Sequence, residues 1–398
     1  MYVTRPLSMY QKNPSMLSLS PPEGPNSGIL VIQDEESEPT ICFGLFKGHE
    51  LKDLPFPQNK NLKLRYSTST GESTHVSYFY TAFIPVVNQP LASNCYYAIS
   101  SRGNHMGQAY TSSTEEDLGT CCFCTYVRDL PPQPLNPSNI RQQFQIQRKG
   151  RFNQCGGFVA KAIASDEFPP KFLGRKGWEI YTSTPRDFHL DEAPGLDSAL
   201  RARLPDFNFE VSNTSSKPVV VGKWYCPFMF VKEGSLTLKD QMSCTRYYEM
   251  TLEQRWEQIF ACDSDASEEN NAVVVDVSVE NEFVTIAGNN VEAVNEEKDV
   301  ANGVMWYRVF NKVGGESTVG VSLAVLERVK WEQQRFGWNG GNDRKVSVKK
   351  VEEFGGMGRW KKFDCYVLGE RFVLKRMDGR LVLSYGFRHT NHIRSKWE

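Results

Sequence analysis

Apolar and polar positions alternate most regularly near the C-terminal end, where Phe372-Val373-Leu374-Lys375-Arg376 and Leu381-Val382-Leu383-Ser384-Tyr385 flank Met377-Asp378-Gly379-Arg380. Asp-Gly between alternating runs predicts a β-hairpin with a two-residue loop, which pairs Arg376 with Leu381, Leu374 with Leu383 and Phe372 with Tyr385. One face then carries the apolar and aromatic side chains with one Arg. The other carries Val373, Lys375, Arg380, Val382 and Ser384, as in a half-buried antiparallel sheet.

The same period-2 reading predicts strands upstream. They are expected at 29–32, 41–46, 62–66, 76–87, 95–100 and 120–127, with a weaker one near 156–164, and later at 273–279, 283–287, 304–310, 319–331, 346–351 and 363–368. Helices are few. Residues 194–204 carry Leu196, Ala199, Leu200 and Leu204 at helical spacing behind Pro194. Residues 251–261 pair Thr251 with Gln254 as a capping box and align Leu252, Trp256, Ile259 and Phe260, which predicts an amphipathic helix. Ser113-Thr114-Glu115-Glu116 predicts a single helical turn. The fold class expected is α+β and β-rich, in two domains of mainly antiparallel sheet. These are an N-terminal domain over 1–211 with a Pro/Ser-rich arm and a C-terminal domain over 219–398, joined by the polar stretch 212–218.

A chain of 398 residues with 24 Phe, 16 Tyr and 8 Trp has ample material for a core. The formal net charge of -1 provides no overall field for recruiting nucleic acid, so nucleic acid is not an expected partner. Locally the picture differs, since residues 263–300 hold 11 acidic residues and residues 344–398 hold 14 basic ones. Neighbouring strands would let these segments neutralise each other. Left exposed, the basic segment is a candidate contact for anionic lipid through Lys375, Arg380, Arg388, Arg394 and Lys396. The N-terminal residues lack a signal-peptide pattern and no apolar run reaches about 20 residues, so a soluble cytoplasmic protein with reduced thiols is expected.

Candidate chemistry is sparse. Cys121-Cys122-Phe123-Cys124 offers thiolates but no second ligand pair at finger spacing, and reads as buried structural cysteine. His389 and His392 read as surface histidines beside Arg388 and Arg394. Gly320-Val321-Ser322-Leu323-Ala324 departs from a nucleophile elbow at its last position and is expected inside a long strand. No catalytic set, metal site or cofactor motif is predicted, and the chain reads as a binding protein with a protein partner rather than an enzyme.

Residues 1–8, 21–34, 224–233, 251–260 and 372–379 together resemble the plant-specific domain-of-unknown-function family numbered 1262. That resemblance implies a plant protein, with no activity, cofactor or residue role to carry over. It also suggests a stress or defence setting, and as an alternative a toxin-like defence protein with a membrane- or carbohydrate-binding part, although no toxin motif is present. An enzyme of unrecognised class is the remaining alternative.

Overall fold

A computed structural model describes residues 1–41, 46–69, 73–121, 124–149, 157–264, 271–286, 299–310, 316–339 and 345–398. The fold is β-rich α+β, with several antiparallel sheets and few helices. An eight-stranded sheet is organised around three long strands, Tyr247–Asp263, Lys362–Arg376 and Leu381–Trp397. A seven-stranded sheet runs from Phe158–Ala162 at one edge to Glu50–Leu51 at the other.

The helix expected over 251–261 is instead part of the Tyr247–Asp263 strand, which pairs with Lys362–Arg376 from Tyr248↔Arg376 to Asp263↔Lys362. Met250, Leu252, Gln254 and Trp256 point inward, while Glu249, Glu253 and Arg255 are only half-buried on the opposite face. The period is therefore 2. Buried Gln254 interrupts the apolar alternation that would have revealed it, and ladder pairing on both sides overrides helix propensity.

The C-terminal hairpin forms with Leu374↔Leu383 and Phe372↔Tyr385 as expected. Its turn is one residue longer than predicted. Gly379 N–H donates to Arg376 O at 2.9 Å, Arg376 N–H donates to Arg380 O at 2.9 Å, and Gly379 has φ 83°. This is a three-residue loop with a glycine bulge, and Leu381 consequently pairs with Lys375 rather than Arg376. Nor is the sheet half-buried here: Val373, Val382 and Ser384 on the second face are buried too.

The proline- and serine-rich N-terminal arm supplies two strands of the eight-stranded sheet. Tyr2–Pro6 pairs in parallel with Gly28–Ile32 and meets Val219–Pro227 antiparallel at Tyr2↔Tyr225. The main core lies behind this sheet, where Tyr2, Leu30, Trp224, Leu252, Phe372, Leu374 and Phe387 cluster with Val325 and Val329. A second core fills the seven-stranded sheet with Phe56, Phe83, Tyr96, Phe158 and Trp178. Full burial of each such side chain contributes about 1.5–3 kcal/mol. The polar stretch 212–216 is bonded to the long strands: Ser216 N–H donates to Trp256 O, Gln258 N–H to Thr214 O and Ser212 N–H to Asp364 Oδ2.

Val325, Leu326 and Val329 belong to a helix, Leu323–Arg335, and the strand expected over 319–331 ends at Ser322. Arg328, Glu332 and Gln333 share its buried side, so the helical stripe is part polar and escapes an apolar count. The helix expected over 194–204 is shorter, Ser198–Arg203, capped by Asp197, whose side chain accepts from Leu200 N–H at 2.9 Å. Glu115–Asp117 forms the single turn expected there. In the acidic segment, Ala272–Glu280 pairs along its length with Lys345–Glu353, and Glu282–Ile286 pairs with the Leu381–Trp397 strand.

Candidate functional site

A groove of 870 Å³ opens between the N-terminal arm and the free edge of the seven-stranded sheet. Its arm side is made by the helix Leu7–Lys12 and the single turn Pro14–Ser18, which contribute Leu7, Tyr10 and Leu17. Asp34 fixes the arm by accepting from Ser8 N–H at 3.1 Å, Ser8 Oγ at 2.5 Å and Ser37 Oγ at 2.6 Å. Burial pushes the Asp34 carboxyl up, but these donations outweigh it and hold the group below its ordinary range. The opposite wall is the segment 48–55, whose Glu50–Leu51 strand pairs with Tyr181 and Ile180. Leu51 and Leu54 add apolar surface there, while His49, Glu50, Lys52 and Asp53 supply polar groups around it. Burial raises the Tyr10 and Tyr181 phenols, so both remain neutral donors at physiological pH.

A second concentration of chemistry is closed to solvent. Arg201 grips Glu370 with Nε at 2.9 Å and Nη2 at 2.5 Å, and its Nη1 lies 3.5 Å from Glu332. Glu332 in turn pairs with Arg328 at 2.6 Å. Glu370 also accepts from Gln254 and Gln333, each at 2.7 Å, and His389 Nε2 lies 2.9 Å from Gln333 Oε1 and 3.5 Å from Glu370. Burial pushes Glu370 up, yet the contacts with His389 and Arg201 hold it at about 2, whereas burial dominates at Glu332 and raises it. These side chains are at most 4% exposed, so no substrate reaches them. The cluster fastens the Ser198–Arg203 and Leu323–Arg335 helices to three adjacent strands.

The two histidines are therefore not a surface pair. His389 is buried in this cluster, and a bulge between its pairing with Leu368 and the Ile393–Val367 pairing brings both His389 and His392 against Phe336. Among the described residues no group of three or more His, Cys, Asp or Glu is placed to hold a metal ion. The side chains of 121–124 lie outside the described residues. Ser322 stands at a strand-to-helix junction that sequence did not signal, but its φ of −56° and ψ of 138° are ordinary extended backbone, without the strain of a nucleophile elbow.

The five candidate cations fall in three places. Lys375 and Arg380 flank the hairpin turn, and Arg380 lies 2.9 Å from Asp378. Arg388 binds Glu257 at 3.0 Å. Arg394 stacks over Phe207 and Trp256, and Lys396 lies over Phe207 and Phe209 while donating to Phe209 O. No helix among the described residues is long and apolar enough to cross a membrane. The groove was not legible in the sequence, because its walls come from residues 7–17, 37, 39, 48–55 and 181, and only their packing creates it.

The crystal structure of Cry35Ab1 aligns with the chain at a TM-score of 0.46 and 12% identity, covering 86% of this chain and 90% of that one. A likeness at that level says nothing about shared activity. No curated protein matches the sequence. Residues 23–123, which include the 48–55 wall of the groove, match the model of a family described as a protein of unknown function, DUF1262.

Proposed function

We propose that the protein is a non-enzymatic binding protein whose ligand is an apolar molecule of small-molecule size held in the groove under the N-terminal arm. The observation that carries this is the groove itself. Its 870 Å³ falls within the range of about 300–1,000 Å³ typical of small-ligand sites, and Leu7, Tyr10, Leu17, Leu51 and Leu54 give it an apolar lining with a few polar groups to orient a ligand. The sequence resemblance supports a plant cell and a stress or defence role as the setting.

Nile red, an uncharged apolar dye, tests the reading. It should bind the protein saturably with enhanced emission, and Leu17→Arg, which puts a charge on a half-buried wall residue, should lower that affinity at least tenfold with the thermal midpoint unchanged. Equal binding by the wild type and Leu17→Arg would refute the groove as the site.

A further inference from the structure

A single carboxylate on the face of the eight-stranded sheet opposite the main core is shared by three arginines. Glu257 accepts from Arg255 Nε at 2.9 Å, from Arg371 Nη2 at 2.6 Å and Nε at 3.1 Å, and from Arg388 Nε at 3.0 Å. The Arg255, Arg371 and Arg388 side chains are 25%, 24% and 16% exposed, against 8% for Glu257, so the carboxylate lies beneath and the guanidiniums reach solvent. The planes are also fixed from the side, because Arg371 and Arg388 lie over the Phe283 ring at 4.9 and 4.4 Å. Gly369 makes room for this arrangement, since a Cβ there would sit 2.9 Å from the Glu257 carboxyl carbon.

The charge does not balance. Of the other acidic side chains on this face of the Tyr247–Asp263 strand, Glu253 faces Arg371 across the ladder and Glu249 pairs with Lys223 at 2.9 Å, and the Glu280 backbone carbonyl accepts from Arg388 Nη1 at 3.1 Å. Among the described residues, both Nη groups of Arg255, Nη1 of Arg371 and Nη2 of Arg388 carry no hydrogen bond. Three guanidiniums held within reach of one carboxyl group repel one another, and an incoming anion relieves that repulsion while accepting from their forked donors.

We propose that Arg255, Arg371 and Arg388 form a binding site for a tetrahedral oxyanion, a phosphate or sulfate group, seated over Glu257. The site is separate from the apolar groove and does not depend on it. The oxyanion is presented either free or on a lipid headgroup.

Thermal unfolding in millimolar sodium sulfate, balanced with sodium chloride at constant ionic strength, reads the site below the concentrations at which sulfate stabilises proteins generally. The wild type should show a saturable rise in midpoint, Arg388→Gln should lose it, and Glu257→Gln, which removes the internal competitor, should enlarge it. In a second measurement that needs no variant, sulfate should protect Arg371 and Arg388 from phenylglyoxal. Co-sedimentation with phosphatidylcholine vesicles containing phosphatidic acid, but not with phosphatidylcholine alone, assigns the headgroup source. Sulfate binding without co-sedimentation assigns the free ion. A sulfate response absent from the wild type or equal in Arg388→Gln, or unprotected arginines, overturns the proposal.

Discussion

Arg201 and Glu370, 169 positions apart, form a two-pronged ion pair in the interior, with Nε–Oε1 at 2.9 Å and Nη2–Oε2 at 2.5 Å. The pair joins a short helix to the middle of the long Lys362–Arg376 strand. Replacing Arg201 by Met leaves a buried carboxylate with a missing counter-ion, and urea unfolding should show a loss of about 3–5 kcal/mol. The double variant Arg201→Met/Glu370→Leu should recover a large part of that loss, because neither charge then remains to be desolvated. A double variant as unstable as the single one would show that the pair is not the cause.

Acid sensitivity should follow from the same carboxyl. Its folded value of about 2 lies below its ordinary value of 4.5, so the folded state binds the proton less tightly than the unfolded chain does. The resulting stability is fully present above the unfolded value and is lost as pH falls from about 4.5 towards about 2. Chemical unfolding across that interval should be steeper in pH for the wild type than for Glu370→Gln. Parallel pH profiles would contradict the assignment.

Gly369→Ala should act at a distance through Glu257. The added methyl meets that carboxyl group and loosens its hold on Arg255, Arg371 and Arg388. A destabilisation of about 1–3 kcal/mol is expected from overpacking, measured by denaturant unfolding. A neutral result would mean that Glu257 can swing aside freely.

At the hairpin turn, Gly379→Ala places an L side chain at φ 83°. The left-handed conformation costs about 1–2 kcal/mol, so the thermal midpoint should fall by a few degrees. Asp378→Ala removes the acceptor for Arg380 N–H, 3.0 Å away, and should have a smaller effect at this exposed position. The reverse order would contradict the turn geometry.

Much of the sheet architecture was readable because local alternation and long-range pairing agree there, as at Phe372↔Tyr385 and Leu374↔Leu383. The misread strand over Tyr247–Asp263 and the misread helix over Leu323–Arg335 have one physical origin. Gln254 on the Tyr247–Asp263 strand, and Arg328, Glu332 and Gln333 on the Leu323–Arg335 helix, are polar side chains turned towards the interior. Each has partners in the interior, Gln254 and Gln333 donating to Glu370 and Arg328 to Glu332, which offsets much of the cost of burial, yet in sequence they look like solvent-facing positions. The interior cluster was hidden for the same reason, being assembled from polar residues scattered between 201 and 389. The shared hold on Glu257 was equally hidden, although Arg388 had been singled out for its charge. Phe283, which orients two of the guanidiniums, comes from the acidic segment expected to neutralise them.

The placement of Tyr2–Pro6 between Gly28–Ile32 and Val219–Pro227 sets an order of events during synthesis. The parallel partner leaves the ribosome within a short interval of that strand, but Ala193, which accepts from Thr4 N–H, and Tyr225, which pairs with Tyr2, meet its other edge only much later. Until then that edge offers unpaired backbone donors and acceptors to any passing chain. The strand that leads into the groove's arm is thus completed only when residues from the C-terminal half of the molecule are in place.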